Sequence, residues 1–261
     1  MKMFSKAASK TRTTGVGDGL SASLAAFCWF AFRASSAVAS PTTPYAVMAP
    51  IETYLMDRAE EIELARSAAP DSISKEATIL VLTRTGYEAA VAGTNGFVCH
   101  VGRGFSGPYG WAERLSPKIR AAECQNPQAA RSVMPLSLLR TTLFLEGRSI
   151  SESIRRIEVA LATGEIPPLE SGAMSYMMSK GSYLTDEGDH NMPHLMFFVA
   201  VKDDSDWTAN APDAPVMGSN YWSFTPALED QVIRLPLLRV FIMGAATWSD
   251  GAPAHARAHS E

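Results

Sequence analysis

Between residues 172 and 197 the chain reads GAMSYMMSKGSYLTDEGDHNMPHLMF, its densest group of potential metal ligands. Asp186, Glu187, Asp189, His190 and His194 stand there among Met174, Met177, Met178, Met192 and Met196. A His-x3-His spacing puts two imidazoles on one side of a helix, a common arrangement for zinc or copper. Asp186 or Asp189 would add a carboxylate ligand or a base, and Met192 or Met196 a soft sulfur suited to copper. With zinc, such a set leaves an open position where bound water ionises near neutrality. Pro193 opposes a helix between the two histidines. In an extended chain their Cα atoms would stand about 13 Å apart, so a turn over 191–193 must bring them together. The competing reading is a solvated loop beside a methionine-filled core, since thioethers fill irregular gaps.

Other motifs are incomplete. Gly102-Arg103-Gly104-Phe105-Ser106-Gly107 matches G-x-G-x-x-G, but Pro108, Tyr109 and Gly110 follow it where a dinucleotide site needs a helix. The pair of Gly15-Val16-Gly17-Asp18-Gly19 with Tyr176-x3-Lys180 loosely imitates a short-chain dehydrogenase, yet its glycines precede any strand. No G-x-S-x-G elbow occurs. Cys99 could act as a nucleophile only if unpaired, and strand alternation turns its neighbour His100 to the opposite side. Asp203-Asp204-Ser205-Asp206 lacks the glycine and closing glutamate of a calcium loop. His255 and His259 repeat the His-x3-His spacing in the tail, and Tyr221, Trp222, Phe224 and Trp248 could line a groove or fill a core.

The elements that must position these groups are legible from periodicity. A helix is expected from Pro50 to about Ser67, with Ile51, Tyr54, Leu55, Ile62 and Ala65 on its buried stripe. Strand-like segments over 77–83, 87–92 and 97–101 predict an antiparallel meander at about 77–103, its second turn at Asn95-Gly96. Asn126 and Pro127 read as N-cap and first residue of a helix that Pro135 restarts and Gly147 ends. Ser149 or Ser151 caps the next helix, which Gly164 stops. Strands are expected over 173–179 and 195–201, and one or two more over 232–243. The class is α+β: an antiparallel sheet packed with three or four helices in a single domain over 50–250.

Residues 1–39 read as an address. Lys2, Lys6, Lys10, Arg12 and Arg33 face one acid, Asp18, and the apolar run over 20–32 leads to Ala37-Val38-Ala39, a secretory signal with cleavage before Ser40. Thirteen residues reach about 20 Å, short of a hydrocarbon core of about 30 Å. Residues 40–49 then form a Pro/Thr spacer, and 251–261 a loose tail. The 261-residue chain carries 23 Lys+Arg and 27 Asp+Glu, a formal charge of −4 that becomes −8 once residues 1–39 are removed. That acidity argues against nucleic acid and anionic membranes as partners. Cleavage leaves Cys99 and Cys124, which an oxidising compartment would pair, closing a loop of about 26 residues worth roughly 3.5 kcal/mol. Two buried thiols are the alternative.

Four stretches together carry a likeness: Ile51-Glu52-Thr53-Tyr54-Leu55-Met56-Asp57-Arg58, Gly93-Thr94-Asn95-Gly96-Phe97-Val98-Cys99, Gly172-Ala173-Met174-Ser175-Tyr176-Met177-Met178-Ser179 and Pro193-His194-Leu195-Met196-Phe197-Phe198. The chain resembles a group of exported bacterial proteins with no assigned activity. That resemblance implies a bacterial, periplasmic or secreted protein and transfers no site residue. With no complete catalytic signature, the expectation is a non-catalytic domain that binds a small molecule or a protein. The alternative is a metal-binding protein or metal-dependent hydrolase built on Asp186, Asp189, His190 and His194.

Overall fold

The structure, a computed structural model, describes residues 45, 47–107, 109, 111, 113–185, 192–200, 207–209, 211–219 and 238–254. It is an α+β fold built on one eight-stranded open sheet. The strands are β1 (Thr78–Thr83), β2 (Gly86–Val91), β3 (Val98–Gly102), β4 (Ala121–Gln125), β5 (Met174–Met177), β6 (His194–Ala200), β7 (Val216–Ser219) and β8 (Leu238–Gly244). Their order across the sheet is β2-β1-β3-β4-β5-β6-β8-β7, and every pairing is antiparallel except β1 with β3.

Helices cover both faces. On one, α1 (Arg58–Arg66) lies over β1, β3 and β4, where Ala65, Ala68, Ile79, Cys99, Val101 and Cys124 form a buried apolar cluster. The short α2 (Asp71–Ser74) follows it. The opposite face carries α3 (Pro127–Ser132) and α4 (Met134–Leu145), with α5 (Ile150–Ala162) packed on α4 through Leu143, Ile154, Ile157 and Ala160. Local chemistry sets the ends. The Asp57 carboxylate accepts from the Ala59 and Glu60 amides at 2.9 and 3.2 Å, so α1 begins at Arg58, eight residues after the expected start at Pro50. Among the described residues, only a short 3-10 turn, Ile51–Thr53, precedes it. Asn126 caps α3, Met134 and Pro135 restart the chain as α4, and Ser149 with Glu152 closes a capping box on α5.

The meander expected over 77–103 is corrected. Its first turn forms, at Gly86, but β3 joins the far side of β1 in parallel rather than returning against β2. The Asn95-Gly96 turn therefore lies in a crossover and not in a hairpin. There the Asn95 amide donates to Ile73 O, and its carbonyl oxygen accepts from Phe97 N. Gly93 lies so close over the start of β1 that a Cβ would come within 2.2 Å of Thr78 N. The local signal for a tight turn was sound; backbone contacts with 73–78 decided which strands it connects.

The parallel seam is short. β1 and β3 pair only at Thr78↔Val98 and Ile79↔Cys99, and backbone groups beyond must find other partners. A buried polar cluster supplies them. Glu61 Oε1 accepts from Leu82 N at 3.2 Å and from Arg103 Nη2 at 2.9 Å. Arg103 also donates to Tyr54 O and Val101 O, and the Tyr87 hydroxyl donates to Val101 O at 2.6 Å. Burial pushes the Glu61 carboxyl upward, while Arg103 and the Leu82 amide oppose that shift.

Candidate functional site

The site begins with the disulfide. Cys99 and Cys124 oppose each other across β3 and β4, Cα atoms 3.9 Å apart, and are joined by an S–S bond. Both are buried under α1. Because successive strand residues face opposite sides, the next pair in the ladder, His100↔Glu123, is turned to the other face. The row continues across the sheet. Cys124↔Tyr176 sets Glu123 beside Met177, and Met177↔His194 and His194↔Gly244 complete the line.

Small residues leave space above this row. Gly102 opposes Ala121 at one end, and Gly244 stands at the other. A cavity of about 240 Å³ fills that space. Met177, Met196 and Ile242 form its floor, while Trp111, Leu184 and Met192 wall it and Ser137 of α4 lies above. The G-x-G-x-x-G stretch forms a 3-10 turn, Gly104–Ser106, beside the cavity, and no helix starts at Gly107. Its glycines serve packing: a Cβ on Gly104 would lie 2.6 Å from Arg114 O.

The polar groups in this apolar lining are electrostatically displaced. His100 is 2% exposed, and burial, helped by the nearby Arg103 guanidinium, lowers its pKa to about 4. It is therefore a neutral imidazole near pH 7. Its ring stands edge-on to Tyr87 at 5.3 Å, and Nδ1 finds no hydrogen-bond partner among the described residues. Glu123 is 5% exposed, and burial raises its pKa to about 7 against the opposing effects of Ser175 and Gln125. Gln125 Nε2 donates to Glu123 Oε1 at 3.0 Å. Burial also lowers the pKa of His194. Its Nδ1 lies 2.7 Å from Met192 O, and because a carbonyl only accepts, the neutral ring carries its proton there. Ser137 Oγ is buried without a partner among the described residues. Ser137, His100 and Glu123 thus share a cavity, but no described hydrogen bond links serine to imidazole as a nucleophile–base pair requires.

Of the four nitrogen and oxygen metal candidates, only His194 is described, and it lines the cavity with Met192 and Met196. Asp186, Asp189 and His190 lie outside the described residues, as do 203–206, Tyr221, Trp222, Phe224, His255 and His259. His100 cannot stand in for His190. Three strand spacings separate it from His194, about 14 Å at roughly 4.8 Å per strand. Among the described residues no group of three His, Cys, Asp or Glu side chains is placed to hold a metal. Trp248 forms a turn with Ala252 away from the cavity lining.

Glu123 and Ser137 escaped the sequence reading, and His100 entered it only as a failed base for Cys99. A signal was available. Cys99-His100 and Glu123-Cys124 are mirror-ordered dipeptides, so an antiparallel disulfide between the cysteines sets histidine and glutamate opposite one another. Ser137 had no such marker, because its place over the cavity follows from how α4 packs. Comparison with protein-family models, curated proteins and solved structures finds no match to this chain.

Proposed function

We propose that this chain is an exported, non-catalytic binding domain whose ligand is a small, mostly apolar molecule held between the sheet and α4. The cavity carries this reading: thioether, indole and aliphatic walls enclose about 240 Å³ and include a few polar atoms. Such a lining is characteristic of small-molecule sites. Since a 150 Å³ apolar cavity accepts benzene, this one suits a ligand of about ten heavy atoms. Gly244→Leu provides the test. Among the described residues its added Cβ meets only Met192 Cε, at 3.6 Å, so the new side chain can enter the cavity without displacing described backbone. Titration with 2-phenylethanol, followed calorimetrically, should show saturable binding to the native chain and none to folded Gly244→Leu. Equal binding by both would remove the cavity from consideration.

Export is supported by the basic-apolar-small order of residues 1–39 and by the Cys99–Cys124 disulfide, which is compatible with an oxidising compartment. Among the described residues, no helix is long and apolar enough to cross a membrane. Intact mass of the exported protein should show loss of residues 1–39; their retention would contradict the address reading.

One observation favours the alternative, metal binding through His190, His194, Asp186 and Asp189. With Nδ1–H donating to Met192 O, the neutral His194 ring carries its lone pair on Nε2, the tautomer common among metal-ligating histidines. Elemental analysis of metal-replete protein beside His190→Ala/His194→Ala tests it, and absence of stoichiometric zinc or copper would end it.

A further inference from the structure

A few polar side chains interrupt the apolar lining of the cavity. His100 of β3, Glu123 of β4 and Ser137 of α4 bring polar atoms to the same apolar space. His100 Nδ1 and Ser137 Oγ are buried without hydrogen-bond partners among the described residues. Leaving such atoms unmatched is unfavourable, so a ligand that bonds them gains on entry. A neutral imidazole always offers one accepting nitrogen, a carboxylate accepts at both oxygens, and a hydroxyl oxygen accepts as well. The lining is therefore rich in acceptors. Arg103, a cation in the same lining, is already held by Glu61 Oε1 and by the carbonyls of Tyr54 and Val101.

Building on the binding function above, we propose that the ligand is a small apolar primary amine whose ammonium group lies between Glu123 and His100. Its three N–H donors suit the carboxylate, the imidazole nitrogen and the Ser137 hydroxyl, and its carbon skeleton rests on Met177, Met196 and Ile242. A neutral alcohol of the same shape brings one donor and leaves the Glu123 charge uncompensated. A carboxylate ligand sets a second anion beside Glu123 in a desolvated space.

Calorimetric titration of the purified, disulfide-intact chain at pH 8 with 2-phenylethylamine, 2-phenylethanol and 3-phenylpropionate tests this assignment. The amine should bind at least about tenfold more tightly than the alcohol, and the acid most weakly. Glu123→Gln should abolish the preference for amine over alcohol while still binding both. His100→Leu should weaken the amine more than the alcohol. If Glu123→Gln fails to fold, as judged by circular dichroism, Glu123→Met provides the same comparison. Equal affinity for amine and alcohol in the native chain, or an amine preference that survives loss of the carboxylate, overturns the amine assignment and leaves the cavity reading standing. Failure of all three compounds to bind the native chain overturns both.

Discussion

His100 and Glu123 should give opposite and separable pH dependences to the stability of the fold. Burial lowers the His100 pKa from its ordinary 6.5 to about 4. Between those values the unfolded chain holds a proton on His100 that the folded chain does not, so His100 makes stability rise with pH. Glu123 is raised from its ordinary 4.5 to about 7. Across that interval the folded chain holds the extra proton, and Glu123 makes stability fall as pH rises. Between pH 4.5 and 6.5 each shifts stability by roughly 2 kcal/mol, in opposite directions, so the two effects nearly cancel in the native chain. Removing either group exposes the other. Urea unfolding of the disulfide-intact chain at pH 4.5, 5.5 and 6.5, followed by tryptophan fluorescence, measures the slopes. Relative to the native chain, Glu123→Gln should gain roughly 2 kcal/mol across the window and His100→Leu should lose about as much. The double variant should again run parallel to the native chain. Parallel slopes for all four proteins would refute the reasoning, since neither group could then be buried in its displaced protonation state.

Three further perturbations probe the scaffold. A thiol assay of the chain lacking residues 1–39, under denaturing, non-reducing conditions, should find no free thiol, and Cys99→Ala/Cys124→Ala should lower urea stability by roughly 3.5 kcal/mol. Glu61→Ala strands the buried Arg103 guanidinium and should cost about 3–5 kcal/mol, whereas Glu61→Leu/Arg103→Met should recover much of that loss in the same unfolding assay. Gly93→Ala forces a Cβ to within 2.2 Å of Thr78 N. It should lower the melting temperature by more than Gly147→Ala, where no described atom lies within 4 Å of the added carbon and the left-handed backbone, φ 71°, opposes it.

Local chemistry made much of the scaffold legible. Ser149 and Glu152 are three residues apart and close their capping box without help from the rest of the fold. Asn126-Pro127 and Met134-Pro135 mark helix starts because proline's fixed φ suits the first turn and lacks only a hydrogen that would go unbonded there. The two short strands β4 and β7 were harder to see. At five and four residues, neither offers a long alternating pattern; β4 is held between β3 and β5, and β7 by the longer β8. The candidate site followed the same division. Cysteine count and the basic-apolar-small order of residues 1–39 pointed to the disulfide, but the cavity depends on residues from strands far apart in sequence.

By itself, the amino-acid sequence determined the α+β class, most helix ends and the partners of the disulfide, because capping, proline geometry and cysteine availability act over short distances or on few candidates. It also specified an acidic chain of 27 Asp+Glu against 23 Lys+Arg. Tertiary structure alone decided that β3 runs parallel to β1, since backbone contacts around Gly93, Asn95 and Phe97 route the chain past the hairpin that Asn95-Gly96 would otherwise make. It likewise decided that His100 and Glu123 face a cavity under Ser137. Strand register fixes which residues share a face, and helix packing fixes which face is roofed; neither is encoded in the spacing of those three residues alone.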